Sequence, residues 1–389
     1  MAGGLEARYA SFNRRKIVLT AFILAMAATL SFLSLFLSQI MGTVTPDVVL
    51  EVLAAHLGGG STDNAVAETV VWDYGVPRAV MGILAGAGLA VGGAVMQSLL
   101  RNPLAEPYTT GVSSGASFGA ALMFIAGISI IPVGDYNLSV TINAIILALI
   151  PTAAIVLISK KSRITPTTMI LAGVAIMYVF RSMTSLMTLT ADSENVEQLY
   201  IWNVGSLGPA SWDNIFIVLI STVICIAILQ TLSREIGIMT AGDKSALSMG
   251  VPVKAVRAIS LITVAVMTAV IVGYTGTIGF MGLVAPHIAR ILVGSNARYL
   301  IPCSAAVGAL VLVGCDCIAN VAIGVPVGVL TAIIGGPIFI VLLIRGAKRV
   351  WFRWIRTTRR NPVTHSQHLF PMAGPIPLLR PTSTQIEEE

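Results

Sequence analysis

The lysines and arginines of this chain are sorted by position. Long apolar runs alternate with short breaks, and basic residues occupy every second break. These breaks hold Arg8, Arg14, Arg15 and Lys16; Arg101; Lys160, Lys161 and Arg163; Arg234, Lys244, Lys254 and Arg257; Arg290 and Arg298; then seven residues from Arg345 to Arg360, and Arg380. The breaks between them carry Asp47, Glu51, Asp63, Glu68 and Asp73, then Asp135, then Asp192, Glu194 and Glu197. Only Arg78 and Arg181 stand apart. Cationic loops stay in the cytoplasm, so the alternation predicts an all-α polytopic membrane protein with both termini cytoplasmic. Composition excludes a soluble fold. Of 389 residues, 56% are hydrophobic and 11% charged, against roughly 25% charged in soluble domains. The net charge of +6 then reflects loops facing anionic lipid and not a nucleic-acid surface.

Ten runs are long enough to span, near 17–41, 79–99, 111–130, 138–159, 166–190, 214–232, 258–274, 277–293, 299–319 and 326–344. The first has 25 residues without a charge, which suits a spanning helix better than a removable signal. Residues 42–77 form an acidic outer break, flexible in part at Gly58-Gly59-Gly60-Ser61. Residues 191–213 are also outside, yet contain Leu199, Tyr200, Ile201 and Trp202. They predict a short helix at or dipping into the outer face, with Trp202 and Trp212 at the interface. Residues 1–345 form one transmembrane domain with a cytoplasmic loop at 233–257. Residues 346–389 form a basic interfacial stretch and then a disordered tail. Cys225, Cys303, Cys315 and Cys317 all lie in apolar runs without metal-ligand spacing, so they read as packing residues and no metal site is expected. Gly82/Gly86 and Gly88/Gly92 in the second run are small-xxx-small pairs that let helices touch backbone to backbone. They serve either packing within the chain or a homodimer seam.

The stretch from Gly237 to Ser245 nearly spells a phosphate-binding loop, but Asp243 stands where Lys must follow the second Gly. ATP binding by this chain is not expected. Residues 241–252 read instead as a short helix capped by Asp243, with Leu247 and Met249 exposed and Gly250 as its stop. Lys244 and Ser245 complete this knob. Pro103 and Pro107 end the second helix; Asn102 and Glu106 can satisfy freed backbone or pair Arg101. Pro286 interrupts the eighth span and leaves a carbonyl without its donor, while His287 and Arg290 lie towards the inside and can bond exposed carbonyls. Gly335-Gly336-Pro337 marks a bend in the last span.

Four separated motifs carry a resemblance. They are Gln97-Ser-Leu-Leu-Arg101-Asn102-Pro103-Leu104-Ala105-Glu106-Pro107 leading into Gly111-Val-Ser-Ser-Gly115; the loop Gly242 to Val253; Gly279-Phe280-Met-Gly282-Leu-Val-Ala-Pro286-His287-Ile-Ala-Arg290; and Pro326-Val-Gly328-Val-Leu-Thr331 through Gly335-Gly-Pro337. Over residues 17–345, in matching order, the chain resembles the FecCD family: binding-protein-dependent ABC importer permeases for ferric siderophores, haem and vitamin B12. The resemblance implies ten helices per subunit, a homodimer or close heterodimer, two cytoplasmic ATPases, an extracytoplasmic substrate-binding protein and an inner-membrane location. It implies no cofactor on this chain, with ATP and Mg on the partner ATPase. It also implies that 241–252 is the coupling loop. The translocation path is then lined largely by the fifth and tenth spans, with Met177, Arg181, Ser185 and Thr331 as candidates.

The two exceptional arginines complete the expectations. The family places arginines at the outer start of the second span to pair with glutamates of the binding protein. Here Gly75-Val76-Pro77-Arg78 lacks the first of the usual pair, and Asn320 stands where a further outer Arg is usual. Arg78 is thus the candidate docking residue, or else it snorkels at the interface. Arg181 lies within the fifth span, where a charge costs about 2.5–3.5 kcal/mol. Two copies would give the path a positive ring suited to an anionic cargo; otherwise the residue is packed against carbonyls. An ion-coupled secondary transporter is the rival reading. It wants carboxylates inside the membrane, and the apolar runs hold only Asp316.

Overall fold

The computed structural model describes residues 2–37, 45–60, 62–161, 165–341 and 344; for residues 2–12, 160–161 and 321–322 it describes the backbone alone. The tail at 346–389 and Ser61 lie outside the described residues. Among the described residues the chain is helices joined by short connections and has no strand. Its helices are α1 (Ala2–Leu37), α2 (Pro46–Leu57), α3 (Ala65–Glu68), α4 (Val76–Leu100), α5 (Val112–Phe124), α6 (Tyr136–Lys161), α7 (Pro166–Leu189), α8 (Ser193–Val204), α9 (Trp212–Thr231), α10 (Ser233–Met239), α11 (Asp243–Ser248), α12 (Val253–Thr275), α13 (Met281–Val293), α14 (Ala297–Ile318) and α15 (Val327–Val341). Residues up to Phe339 belong to one compact unit.

Seven helices are long and apolar enough to cross a membrane, which makes this a multi-pass membrane protein. The other three apolar runs form shorter helices, α5, α13 and α15. Thirteen residues of helix rise about 20 Å, short of a ~30 Å hydrocarbon core. The third run therefore departs from its expected 111–130 extent. Its helix ends at Phe124, and Gly127 takes a left-handed φ of 64° in the connection to α6. The outer segment before the second span also departs from expectation. It is largely helical: α2 is followed by one continuous helix from Ala65 to Leu100. That helix passes Pro77 through a π turn at Thr69–Gly75, where the Val76 N–H bonds to the Val71 carbonyl. Val49, Val52, Ala67 and Val71 with Leu35 form a small separate core beneath α2.

α4 is the central post, with 83% of its span buried. Its glycines are used inside the chain. A Cβ on Gly86 would strike the backbone of Gly308 in α14, and one on Gly93 the backbone of Gly282 in α13. Gly88 meets Ile271 of α12. The small-residue stripe thus packs neighbouring helices of the same chain, and the homodimer seam through α4 is set aside. Cys225, Cys303 and Cys315 are buried free thiols, as packing residues should be. Trp212 packs on Trp72 with the rings tilted 35° and centroids 4.9 Å apart, and donates its indole N–H to the Trp72 carbonyl at 2.9 Å.

The cation pattern predicts sidedness, and the prediction can be read chemically. A cysteine replacing the exposed Asp63 is expected to react with a membrane-impermeant thiol reagent on intact cells, and one replacing the exposed Ser248 only after the membrane is opened. Labelling of Ser248→Cys on intact cells would reverse the orientation.

Candidate functional site

The knob at 241–252 is built as a helix between two glycines. Gly242, at φ 110°, is the residue before the first turn, and Gly250, at φ 80°, is the stop. Asp243 is therefore not the cap: it is the first helical residue, and its side chain is used elsewhere. Its carboxylate accepts two bonds from Arg257 Nη2, at 2.8 and 2.9 Å, and pairs with Arg101 Nη2 at 3.4 Å. Arg257 belongs to α12 and is buried. Arg101 ends α4 in a left-handed conformation, φ 50°. One carboxylate thereby ties the knob to two membrane helices. Of the two expectations for Asn102 and Glu106, pairing of Arg101 gives way to its bond with Asp243, while Asn102 satisfies freed backbone. The Asn102 side chain accepts from the Leu104 N–H at 2.9 Å, exposed Pro103 follows it, and Glu106 packs beside Gly282.

Leu247 and Met249 are 60% and 63% exposed, as the sequence predicts for this helix. Lys244 is exposed and Ser245 half-buried beside them. An open cavity of about 520 Å³ adjoins Met249, lined also by Arg234, Gly237, Ile238, Asn296 and Arg298. It combines apolar walls with two cations.

Pro286 does not break α13, which runs unbroken from Met281 to Val293. Proline lacks the N–H that would bond four residues back, so it orphans the Gly282 carbonyl. Gln97 of α4, itself buried, donates its amide N–H to that oxygen at 3.1 Å. Neither His287 nor Arg290 is needed for it. His287 is half-buried and engaged with a neighbour; Arg290 sits in the last turn, where a cation favours the helix dipole. Gly335-Gly336-Pro337 lies inside α15, which runs on through it to Val341. Gly335 is required by its neighbour: a Cβ there would lie 2.5 Å from the Cβ of Phe280. Phe280 holds a left-handed φ of 66° at the start of α13, a conformation that costs a non-glycine residue about 1–3 kcal/mol. Pro337, two residues on and about half a turn round the helix, is exposed.

Arg78 is not a free outer cation. Its guanidinium meets Asp316 as a fork, Nε to Oδ2 at 2.9 Å and Nη2 to Oδ1 at 2.8 Å, with side chains only 19% and 11% exposed. Helix register makes this pair. Gly86 crosses Gly308, and eight residues further along the antiparallel helices lie Arg78 and Asp316. Within the chain alone, this pair gives Arg78 its partner. Two oppositely charged residues near the outer ends of spans were the available signal in the sequence. No comparable signal marked Gln97 or Arg257 as partners.

The path candidates divide. Arg181 and Ser185 are exposed on α7 and Met177 is half-buried. Thr331 is 3% exposed and bonds the Gly328 carbonyl at 3.0 Å, so it faces the bundle interior and not a path. Among the described residues, no group of three His, Cys, Asp or Glu side chains could hold a metal.

A model described as the FecCD transport family matches residues 13–345. The chain belongs to the FecCD transport family. This FecCD chain is 36% identical to the cobalamin import system permease of Halobacterium salinarum over 292 residues, covering 75% of this chain and 77% of that one. It is 34% identical to the Fe(3+)-citrate import system permease YfmE of Bacillus subtilis, covering 71% and 82%. A solved structure described as an inward-facing metal-chelate type ABC transporter superposes with a TM-score of 0.72 at 27% identity, covering 84% of this FecCD chain and 99% of that chain.

Proposed function

We propose that this chain is the membrane subunit of an ATP-driven importer for an iron chelate (ferric siderophore or haem) or a similar metal macrocycle such as vitamin B12. Two copies form the pore, each with ten membrane segments and cytoplasmic ends in the inner membrane. Two cytoplasmic ATPases bind ATP and Mg, and an extracytoplasmic protein delivers the cargo. The relatives named for cobalamin and ferric citrate support the cargo class. The observation that carries the mechanism is the knob at α11. It offers two exposed apolar side chains to a partner and is tied by Asp243 to α4 and α12. Movement of a partner seated on Leu247 and Met249 would pass through that carboxylate into the membrane helices. This chain performs no bond chemistry. The secondary-transporter reading loses its only in-span carboxylate, because Asp316 is bound to Arg78.

Leu247→Glu and Met249→Glu test the docking. Each would place a charge against an apolar socket at a cost of several kcal/mol. Transport and cargo-stimulated ATP hydrolysis are expected to be lost, with the helical fold by circular dichroism unchanged. Normal coupling in both variants would remove the knob from the mechanism.

A further inference from the structure

α7 presents its faces unequally. Met169, Gly173 and Phe180 are buried against the rest of the chain. On the other side, Tyr178, Arg181, Ser182 and Ser185 are all exposed. At 3.6 residues per turn these four fall within an arc of about 100°. The neighbouring exposed arc is apolar, with Val179, Met183 and Leu186. The middle two turns of a 24-residue spanning helix therefore carry a polar patch on a surface that the chain itself leaves open, bounded on the same face by exposed Leu171 and Leu189. Among the described residues, none of these four side chains has a hydrogen bond or ion pair.

Depth makes the patch costly. Arg181 lies about 5 Å from the midpoint of α7, so about 10 Å inside the nearer edge of a ~30 Å hydrocarbon core. A cation there does not face lipid without a cost of about 2.5–3.5 kcal/mol. A second copy supplies no counter-charge either. The apolar runs of the chain contain one carboxylate, Asp316, and it is committed to Arg78.

We infer that the patch of Tyr178, Arg181, Ser182 and Ser185 is an anion-binding wall of the water-filled path, and that the cargo supplies its negative charge through carboxylate or catecholate oxygens. This rests on the importer reading above and narrows it: the cargo is an anionic chelate, and Arg181 with its copy selects it. Each hydroxyl can donate to an oxyanion, and the guanidinium fork can hold one carboxylate through two bonds.

Thiol labelling tests this without cargo or ATPase, so its outcome is separable from a failure of coupling. Ser185→Cys is made in the full chain in membrane sheets, where both faces meet reagent. It is treated with an anionic sulfonate and a cationic trimethylammonium methanethiosulfonate, and the unsubstituted chain serves as the blank. The sulfonate is expected to react about tenfold faster than the ammonium reagent, as a focused positive potential requires. Adding Arg181→Gln should bring the ratio close to one, and Arg181→Lys should keep most of it, since the point charge survives. Ser182→Cys repeats the measurement should Ser185→Cys accumulate poorly. Absence of labelling at both positions places the patch against lipid or protein and overturns the inference. A ratio unchanged by Arg181→Gln overturns it as well.

Discussion

Reversing the charge at Asp243 is expected to stop transport while the permease still inserts. In Asp243→Arg, three cations crowd the place where one carboxylate now serves Arg257 at 2.8 Å and Arg101 at 3.4 Å. The knob then loses its ties to α12 and α4. A hydrogen bond to a charged group contributes about 1.5–3 kcal/mol, so the seated arrangement should weaken by about 10- to 100-fold. In the assembled complex, uptake should fall by at least that lower factor, while the partner continues to hydrolyse ATP without useful movement. Exchanging the charges, Asp243→Arg with Arg257→Asp, should restore part of the uptake. Parental uptake by Asp243→Arg would show that the ion cluster transmits nothing.

Removing Arg78 should act on stability before it acts on docking. Arg78→Ala strands Asp316, 11% exposed, between α4 and α14. Breaking a buried pair from one side costs about 3 kcal/mol, because the remaining charge has no partner. The detergent-solubilised protein should melt clearly lower, and Arg78→Ala with Asp316→Ala should recover most of the loss. A docking arginine behaves otherwise. It would leave the melt unchanged and weaken the response to the binding protein, and the second substitution would rescue nothing.

The docking expectation for Arg78 came from position along the chain. A sequence shows where a charge sits in a span but not which way neighbouring helices cross. Gly86 on Gly308 sets that crossing, and the pairing with Asp316 follows eight residues later. Thr331 is a similar case: its span was legible, but the face it turns inward was not. Pro286 predicted an orphaned carbonyl correctly in kind. Its partner, Gln97, lies 185 residues away and is brought there by the Gly93–Gly282 contact.

The sequence by itself determined the membrane, the sidedness of its loops as an expectation, the helical class, the family and the exposed knob at 241–252. These rest on local quantities: hydropathy over a run, the placement of Lys and Arg, and glycines where a turn requires them. Only the tertiary structure decided who satisfies whom. It paired Arg78 with Asp316, gave Asp243 to Arg257 and Arg101, and made three of the ten runs short helices. It also left Arg181 on an open polar patch. Ion pairs and buried hydrogen bonds depend on helix register and crossing, which arise from many small packing contacts between distant segments. No single window of residues contains that information.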